Sequence, residues 1–477
     1  MSLFKWQSIS FLSRLMALVL GIIQSFVIIN VLPLNEYGAV KVVASIASLI
    51  GVSQALGITS ASTREISGAK NKTDASKIFL TSLILRNLIS IPFVIGLFLL
   101  APLLAANRTE SFDNVVWALR VLSITLIIQT SQGVFNSVLS AYQKFKIIFL
   151  FQVFIAVVSI FLYIPLVYFY GFKGYYLAYL FFNITSCCIL AILALKQLKF
   201  VQITVSELYS ISKSIFSISI TIYVTKLLYT FWIDGPILFL EYIKEEKFVI
   251  PIFSFALLYT TKLSVFSDSI TDVTLPVMSK KFAQNIDEFK NSYKLNFSKT
   301  FVIITFVASF ASFWSGEVVK LFIKREYYEA IFVIPLIMLG IWAYSNVDLL
   351  KSSIFVPAKK LKNMVYVYLT MPIIHYVLFY FLYNLFSNVL INFSASFGLS
   401  AVFVLLTAFF MVMRDFDIFL LNRYNIYFLG VSIFFTICFY LNLPFYIKLI
   451  LSIIYIVLTL FVSKKLGLLE IFAKKIK

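Results

Sequence analysis

Residues 254–281 read SFALLYTTKLSVFSDSITDVTLPVMSKK, a stretch long and apolar enough to cross a bilayer. It nevertheless carries Tyr259, Thr260, Thr261, Lys262, Ser264, Ser267, Asp268, Ser269, Thr271 and Asp272. A helix facing lipid could not hold that load, because a charged side chain near a bilayer centre costs about 2.5–3.5 kcal/mol on insertion scales. The stretch therefore reads as a membrane helix that lines a polar interior.

The whole chain repeats the apolar part of that pattern. It has 477 residues, 61% hydrophobic and 13% charged, with 52 Phe, where a soluble domain is nearer half apolar and a quarter charged. Fourteen apolar runs of spanning length follow one another: 9–29, 40–62, 78–105, 115–139, 147–170, 175–195, 214–238, 248–277, 300–322, 331–350, 364–385, 397–420, 426–441 and 446–462. The expected fold is all-α, a polytopic membrane protein of about 14 transmembrane helices. The first run contains Arg14 and no small-residue cleavage site, so it reads as a retained span and not as a signal peptide.

The net charge of +19 would point to nucleic acid in a soluble protein. Here the cations sit in short loops, where they set orientation, so no nucleic-acid partner is expected. With the N-terminus inside, the loops at 64–77, 144–146, 196–213, 279–299, 359–362, Arg423 and the tail from Lys464 hold about 23 Lys or Arg, against about 6 on the other side. That asymmetry predicts an even number of spans with both termini cytoplasmic.

Basic loops also recur. The run at 66–77, ISGAKNKTDASK, is matched by MSKKFAQNIDEFK at 278–290, and YQKFK at 142–146 by AKKLK at 358–362. Both offsets are about 210 residues, which predicts two parallel six-helix lobes, 1–200 and 201–395, followed by two further helices and a tail over 396–477. In such architectures the substrate site lies near the midplane between the repeats.

Depth along each helix, at 1.5 Å per residue, separates the intramembrane charges. Lys226 and Lys262 fall near the middle of spans seven and eight, too deep to reach an interface, and carry the strongest functional signal. Arg86 lies further in than Arg14 and Arg120, which can snorkel. Gln24, Gln54, Gln129, Gln132, Asn136, Gln152 and Asn183 read individually as interhelical hydrogen bonds and collectively as the lining of a site for hydroxyl-rich cargo. Asp268 and Asp272 are spaced i, i+4, either paired with Lys280 or Lys281 or serving with Asp234 as an ion-coupling site. Glu317 with Lys320, and Asp348 with Lys351, read as i, i+3 structural pairs. His375 lies among aromatics and reads as packing. Three cysteines, Cys187, Cys188 and Cys438, make neither a disulfide framework nor a zinc site. No Walker motif, metal-ligand spacing or G-x-S-x-G occurs. The expectation is a transporter and not an enzyme, with no cofactor or metal.

Three motifs add a resemblance. LPLNEYG (32–38) resembles the L-G-x-x-E-Y-G loop of Wzx-type polysaccharide flippases, with Pro33 in place of the usual glycine. VVKLFIKREYYEA (318–330) resembles that family's L-F-G-x-x-Y-x-x-A segment, with Lys324 in the glycine region. TLPVMSKKF (274–282) resembles its P-x-x-S-K ending of span eight. The order of all three matches as well.

The resemblance implies the multidrug/oligosaccharidyl-lipid/polysaccharide exporter fold in a bacterial cytoplasmic (inner) membrane. Its implied cargo is undecaprenyl-pyrophosphate-linked oligosaccharide of O-antigen or capsule, flipped to the outer leaflet. Membrane lipids, a polysaccharide polymerase and chain-length machinery are the implied partners. Arg14, Arg86, Lys226 and Lys262 match by position the cations expected to hold the head group, and Arg120 joins them as a substrate-binding candidate. Two rival functions are weighed. A cation-coupled drug exporter of the same superfamily would rely on acids more than on midspan lysines. An O-antigen polymerase would need a large outer loop, and none here exceeds about 10 residues.

Overall fold

A computed structural model describes residues 3–106, 111–142, 144–199, 201–243, 248–265, 267, 278, 281–282, 284–358, 360–383, 388–441 and 443–467. The described residues are helical, without a strand. Eleven of the helices are long and apolar enough to cross a membrane. The fourteen expected spans all fall on helices, the eighth as far as it is described, because one long helix carries two spans and two further helices carry spans seven and eight. Two compact units divide the chain, Met1–Pro251 and Ile252–Lys477.

The first unit runs α1 (Leu3–Val31), α2 (Leu34–Ala55), α3 (Ile58–Ser67), α4 (Lys72–Ala105), α5 (Phe112–Ala141), α6 (Phe145–Leu195) and α7 (Val205–Tyr242). Expected span two is interrupted. Leu56 (φ 40°) and Gly57 (φ 69°) take left-handed backbone, ending α2 and restarting the chain as α3. Glycine adopts that conformation without a Cβ penalty. The 51-residue α6 contains the two spans predicted at 147–170 and 175–195, and it reverses at Gly171 (φ 54°, ψ −130°). The Tyr163 ring lies 5.3 Å from that of Tyr175 and 6.3 Å from that of Phe182, so the two arms fold back on each other. A Cβ on Gly174 would sit 1.8 Å from the Leu166 carbonyl oxygen, which leaves no room for any other residue there.

The LPLNEYG motif explains itself at this reversal. Leu32, Leu34 and Tyr37 are buried. Glu36 Oε2 accepts a hydrogen bond from Phe172 N at 3.1 Å, and Tyr176 Oη donates to the Val40 carbonyl at 3.3 Å. The glutamate thus satisfies a backbone donor that the turn would orphan. Glu36→Ala is expected to lower stability by about 1.5–3 kcal/mol, the range for a hydrogen bond to a charged group. The check is the thermal midpoint of the detergent-purified protein. A midpoint unchanged from wild type would remove the clamp role.

Helix α7, assigned from the sequence to the start of the second lobe, is tied to α4. Lys77 Nζ donates to Glu207 Oε1 at 2.5 Å, and Lys199 N to Ser76 Oγ at 2.9 Å. A capping box of Thr204 and Glu207 starts α7 in this position. The helix then packs along α2, α3 and α4.

The second unit comprises α8 (Val249–Thr261, all but its first residues), α9 (Ile286–Phe313), α10 (Ser315–Phe322), α11 (Ala330–Leu350), α12 (Leu361–Tyr383), α13 (Val389–Phe416), α14 (Arg423–Ile437) and α15 (Phe445–Lys465). Helix α13 packs on α11 and α12, while α9 packs on α11, α14 and α15. Asn285 caps α9 and Asn422 caps α14 with Asn425 in a capping box. In the motif at 318–330, Ile323, Tyr327 and Ala330 are buried, and Tyr327 meets the edge of Phe255 at 5.5 Å.

Helix α11 runs into a π turn, Lys351–Phe355. There Asp348 and Lys351 form the expected i, i+3 pair, joined by Tyr368 Oη donating to Asp348 Oδ1 at 3.3 Å. His375 is fully buried, with Nδ1 3.2 Å from Ser396 Oγ and its ring among Phe393, Phe397 and Tyr376, which is the packing role read from the sequence. The other expected pair is corrected. Glu317 is bonded to Lys448 of α15 at 2.5 Å, not to Lys320. Lys448 is buried between the Phe313 and Phe439 rings, and that low-polarity seat draws the carboxylate toward it.

Candidate functional site

The candidate residues occupy distinct surroundings. Arg86, on α4, is 5% exposed. Its Nη1 donates to Thr59 Oγ1 at 2.8 Å, on the first turn of α3, and its Nε has no partner. The guanidinium fits because residue 133 of α5 is glycine; a Cβ there would lie 2.1 Å from Nη1 and 3.1 Å from Thr59 Oγ1. Around it Ile58, Ala61 and Ile215 form an apolar cluster with Leu56, Leu85, Ile89 and Ile211. No carboxylate among the described residues forms an ion pair with Arg86.

Asp234, on α7, accepts from Ser45 Oγ of α2 at 3.3 Å, with Ser48 and Lys41 also beside it. Its surroundings are those of a helix–helix contact, with two hydroxyls satisfying the carboxylate. Arg120 is exposed and lies over the Phe98 ring at 5.1 Å. Arg14 is half-buried on α1, and Lys226 is exposed midway along α7 beside buried Thr225. Lys262, in the second unit, is half-buried in a turn directly after α8, where Leu263 N reaches back to the Thr260 carbonyl at 3.0 Å. It marks a helix break, not the interior of a continuous helix. Asp268 and Asp272 lie outside the described residues. Lys281, one of their expected partners, is bonded to Glu288 at 2.9 Å and to Ser292 Oγ at 2.6 Å.

Four of the amides predicted as interhelical links, Gln24, Gln129, Gln132 and Asn183, make them. Gln129 Nε2 donates to Tyr179 Oη at 2.6 Å and to Asn183 Oδ1 at 3.2 Å, and Gln132 Nε2 to the Asn183 carbonyl at 2.6 Å, stitching α5 to α6. Ser159 Oγ donates to Gln24 Oε1 at 2.6 Å, joining α6 to α1. Gln54 and Gln152 differ: Gln54 is buried in the last turn of α2 with its Nε2 unpartnered, and Gln152 Oε1 on α6 is buried without a partner.

Three features escape sequence reasoning: Thr59, Gly133 and the ion pair of Lys448. Only Gly133 leaves a signal, as a lone glycine inside an apolar helix, where close packing is a common reason for glycine. No group of three or more His, Cys, Asp or Glu that could hold a metal occurs among the described residues.

Comparison with known proteins fits this architecture. The chain resembles the lipid II flippase MurJ in an inward closed conformation (15% identity, TM-score 0.72, 98% of this chain and all of that one). It also resembles an inward-facing multidrug resistance MATE family transporter of the MOP superfamily (13%, 0.67, 85% and 98%). A third likeness is to an outward-facing multidrug resistance MATE family transporter of the same superfamily (16%, 0.64, 87% and 96%). At such identities the likeness is one of fold. No curated protein sequence matches the chain. The family described as "Polysaccharide biosynthesis protein" matches residues 29–332, well over half of the sequence. The chain therefore belongs to that polysaccharide biosynthesis family and is a multi-pass membrane protein whose fold is similar to that of the MurJ and MATE transporters.

Proposed function

We propose that this protein is a flippase that moves undecaprenyl-pyrophosphate-linked oligosaccharide repeat units from the cytoplasmic to the periplasmic leaflet by alternating access. The observation that carries the reading is Arg86, a cation buried at membrane depth without an acidic partner among the described residues, in a chain of the polysaccharide biosynthesis family. A drug exporter has no need of such a group, whereas a pyrophosphate does. Arg and Lys give phosphoryl oxygens short, charge-assisted hydrogen bonds, and Arg14, Arg86, Arg120, Lys226 and Lys262 supply them in this reading. The polyprenyl tail stays in lipid while the sugar crosses through a wet interior lined by amide and hydroxyl side chains.

An inside-negative potential favours outward movement of the anion by about 2.3 kcal/mol per charge per 100 mV. Coupling then acts mainly on the reset of the empty carrier, and Asp234, Asp268 and Asp272 are its candidate groups. The setting is the bacterial inner membrane with both termini cytoplasmic, and a polymerase with its chain-length machinery takes up the flipped unit. The test is reconstitution: proteoliposomes containing the protein and a labelled lipid-linked oligosaccharide, with leaflet exposure read by an impermeant glycan-modifying reagent. Accelerated exposure over protein-free vesicles is expected. Exposure no faster than in empty vesicles refutes the reading.

A further inference from the structure

We infer that the adjoining ends of α9, α14 and α15 form a head-group site for an anionic phospholipid of the surrounding bilayer, with Lys299, Arg423, Lys464 and Lys465 as its cations. That this leaflet is the cytoplasmic one rests on the orientation in the reading above; the site itself rests on geometry and charge.

Three hydrogen bonds draw these cations together. Asn422, the cap of α14, donates from Nδ2 to Ser298 Oγ at 3.3 Å, and Asn425 Nδ2 donates to the Ser298 carbonyl at 2.9 Å. The next residue of α9, Lys299, donates from Nζ to the Gly467 carbonyl at 3.2 Å. Gly467, in left-handed backbone (φ 66°), closes the end of α15 through its N–H to the Lys464 carbonyl at 3.0 Å. Arg423 therefore stands beside the asparagine links, and Lys464 and Lys465 stand beside the Lys299 bond. An ammonium group has three donors, so Lys299 keeps two after that bond.

The charge gathered here is not neutralised. Three other basic clusters assigned to the same side carry their own acids: Lys77 pairs with Glu207, Lys281 with Glu288, and Lys360 and Arg414 with Asp415. No carboxylate among the described residues forms an ion pair with Lys299, Arg423, Lys464 or Lys465. Arg423 lies over the Tyr424 ring at 5.1 Å and Lys465 over the Phe461 ring at 5.8 Å, while Arg423, Lys464 and Lys465 remain exposed. All four cations directly flank the apolar runs 300–322, 426–441 and 446–462, which places them at head-group depth. The adjoining turns of α14 and α15 expose Ile426, Tyr427, Val457, Leu460 and Phe461, an apolar surface for acyl chains. Clustered cations beside such a surface fit an anionic lipid better than a soluble anion, and basic pockets between membrane helices take such head groups.

Native mass spectrometry of the detergent-purified full chain tests this, by titration with phosphatidylglycerol, phosphatidylcholine and undecaprenyl phosphate. Phosphatidylglycerol is expected to bind at least about tenfold more tightly than phosphatidylcholine. A basic residue near an anionic surface is worth roughly fivefold in affinity, so changing all four cations to Gln is expected to weaken phosphatidylglycerol binding at least about twentyfold. The control removes the same charge from the first unit, changing exposed Lys70, Lys72, Lys144 and Lys146 to Gln, and is expected to alter affinity less than about twofold. Should the first variant not fold, Arg423→Gln with Lys464→Gln and Lys465→Gln, which leaves the Lys299 bond to Gly467 in place, decides in the same way. Equal losses in variant and control overturn the site, as does equal binding of the two phospholipids. Undecaprenyl phosphate bound more tightly than phosphatidylglycerol, with the same loss in the variant, overturns the phospholipid as occupant. Proteoliposome translocation separates this site from the flippase reading. Translocation by wild type without phosphatidylglycerol selectivity rejects the site and keeps the flippase. Absent translocation with the expected selectivity and losses keeps the site and rejects the flippase.

Discussion

Replacing both midspan lysines, Lys226→Ala together with Lys262→Ala, is expected to reduce surface polysaccharide at least about a hundredfold at unchanged protein level, since each charged hydrogen bond to a phosphoryl group is worth about 1.5–3 kcal/mol. Lys226 is exposed halfway along α7, and Lys262 sits in the turn that ends α8. A cation at such depth is disfavoured by about 2.5–3.5 kcal/mol unless it serves or pairs. The measurement is complementation of a flippase-deficient strain, with membrane protein quantified separately. Lys226→Arg with Lys262→Arg keeps both charges and is expected to retain most of the polysaccharide. Full polysaccharide in the double alanine variant would remove these two residues from the head-group contact and leave Arg86 as the principal cation.

The spans are legible in the sequence because hydropathy is a property of whole segments, and each lipid-facing helix must be apolar along its length. Exposed Leu99, Leu103, Phe161 and Phe169, each about 70% accessible, are that signal in three dimensions. The helix breaks are not legible. Gly57 is a single glycine in an apolar run, and a lone glycine is tolerated inside membrane helices. Charge alone singles out Lys262, yet the turn holding it is a matter of backbone conformation that no residue there dictates. Arg86 illustrates the division most clearly. Its depth can be counted along the chain, but its lack of an acid and its bond to Thr59, 27 residues away, exist only in the fold.

Pairs distant in sequence are the other class that local spacing misreads. Glu317 has Lys320 one helical turn away, yet bonds to Lys448, 131 residues on. The reason is burial: Lys448 is 6% exposed, with Phe313 and Phe439 rings 5.7 and 6.0 Å from its Nζ, whereas Lys320 is exposed and remains hydrated. An ammonium group in that setting needs a counter-charge more than a surface lysine does.

That asymmetry makes a sharp prediction for the second unit. Lys448→Met alone strands the Glu317 carboxylate, one of whose oxygens is already buried without a partner, and is expected to destabilise the protein by about 3–5 kcal/mol. Lys448→Met combined with Glu317→Leu removes both charges and keeps the volume, so most of that loss should return, because a buried ion pair replaced by apolar side chains is often neutral or better. The neighbouring bond from Trp314 Nε1 to Ser452 Oγ at 3.0 Å also joins α15 to the α9–α10 junction and is untouched by either change, so the helix keeps an anchor in the double variant. Thermal midpoints of wild type, both single variants and the double variant in one detergent close the cycle, with a coupling of roughly 2 kcal/mol or more expected for partners in direct contact. Additive losses would mean that the two charges do not depend on each other, and that α15 is held by its aromatic contacts alone.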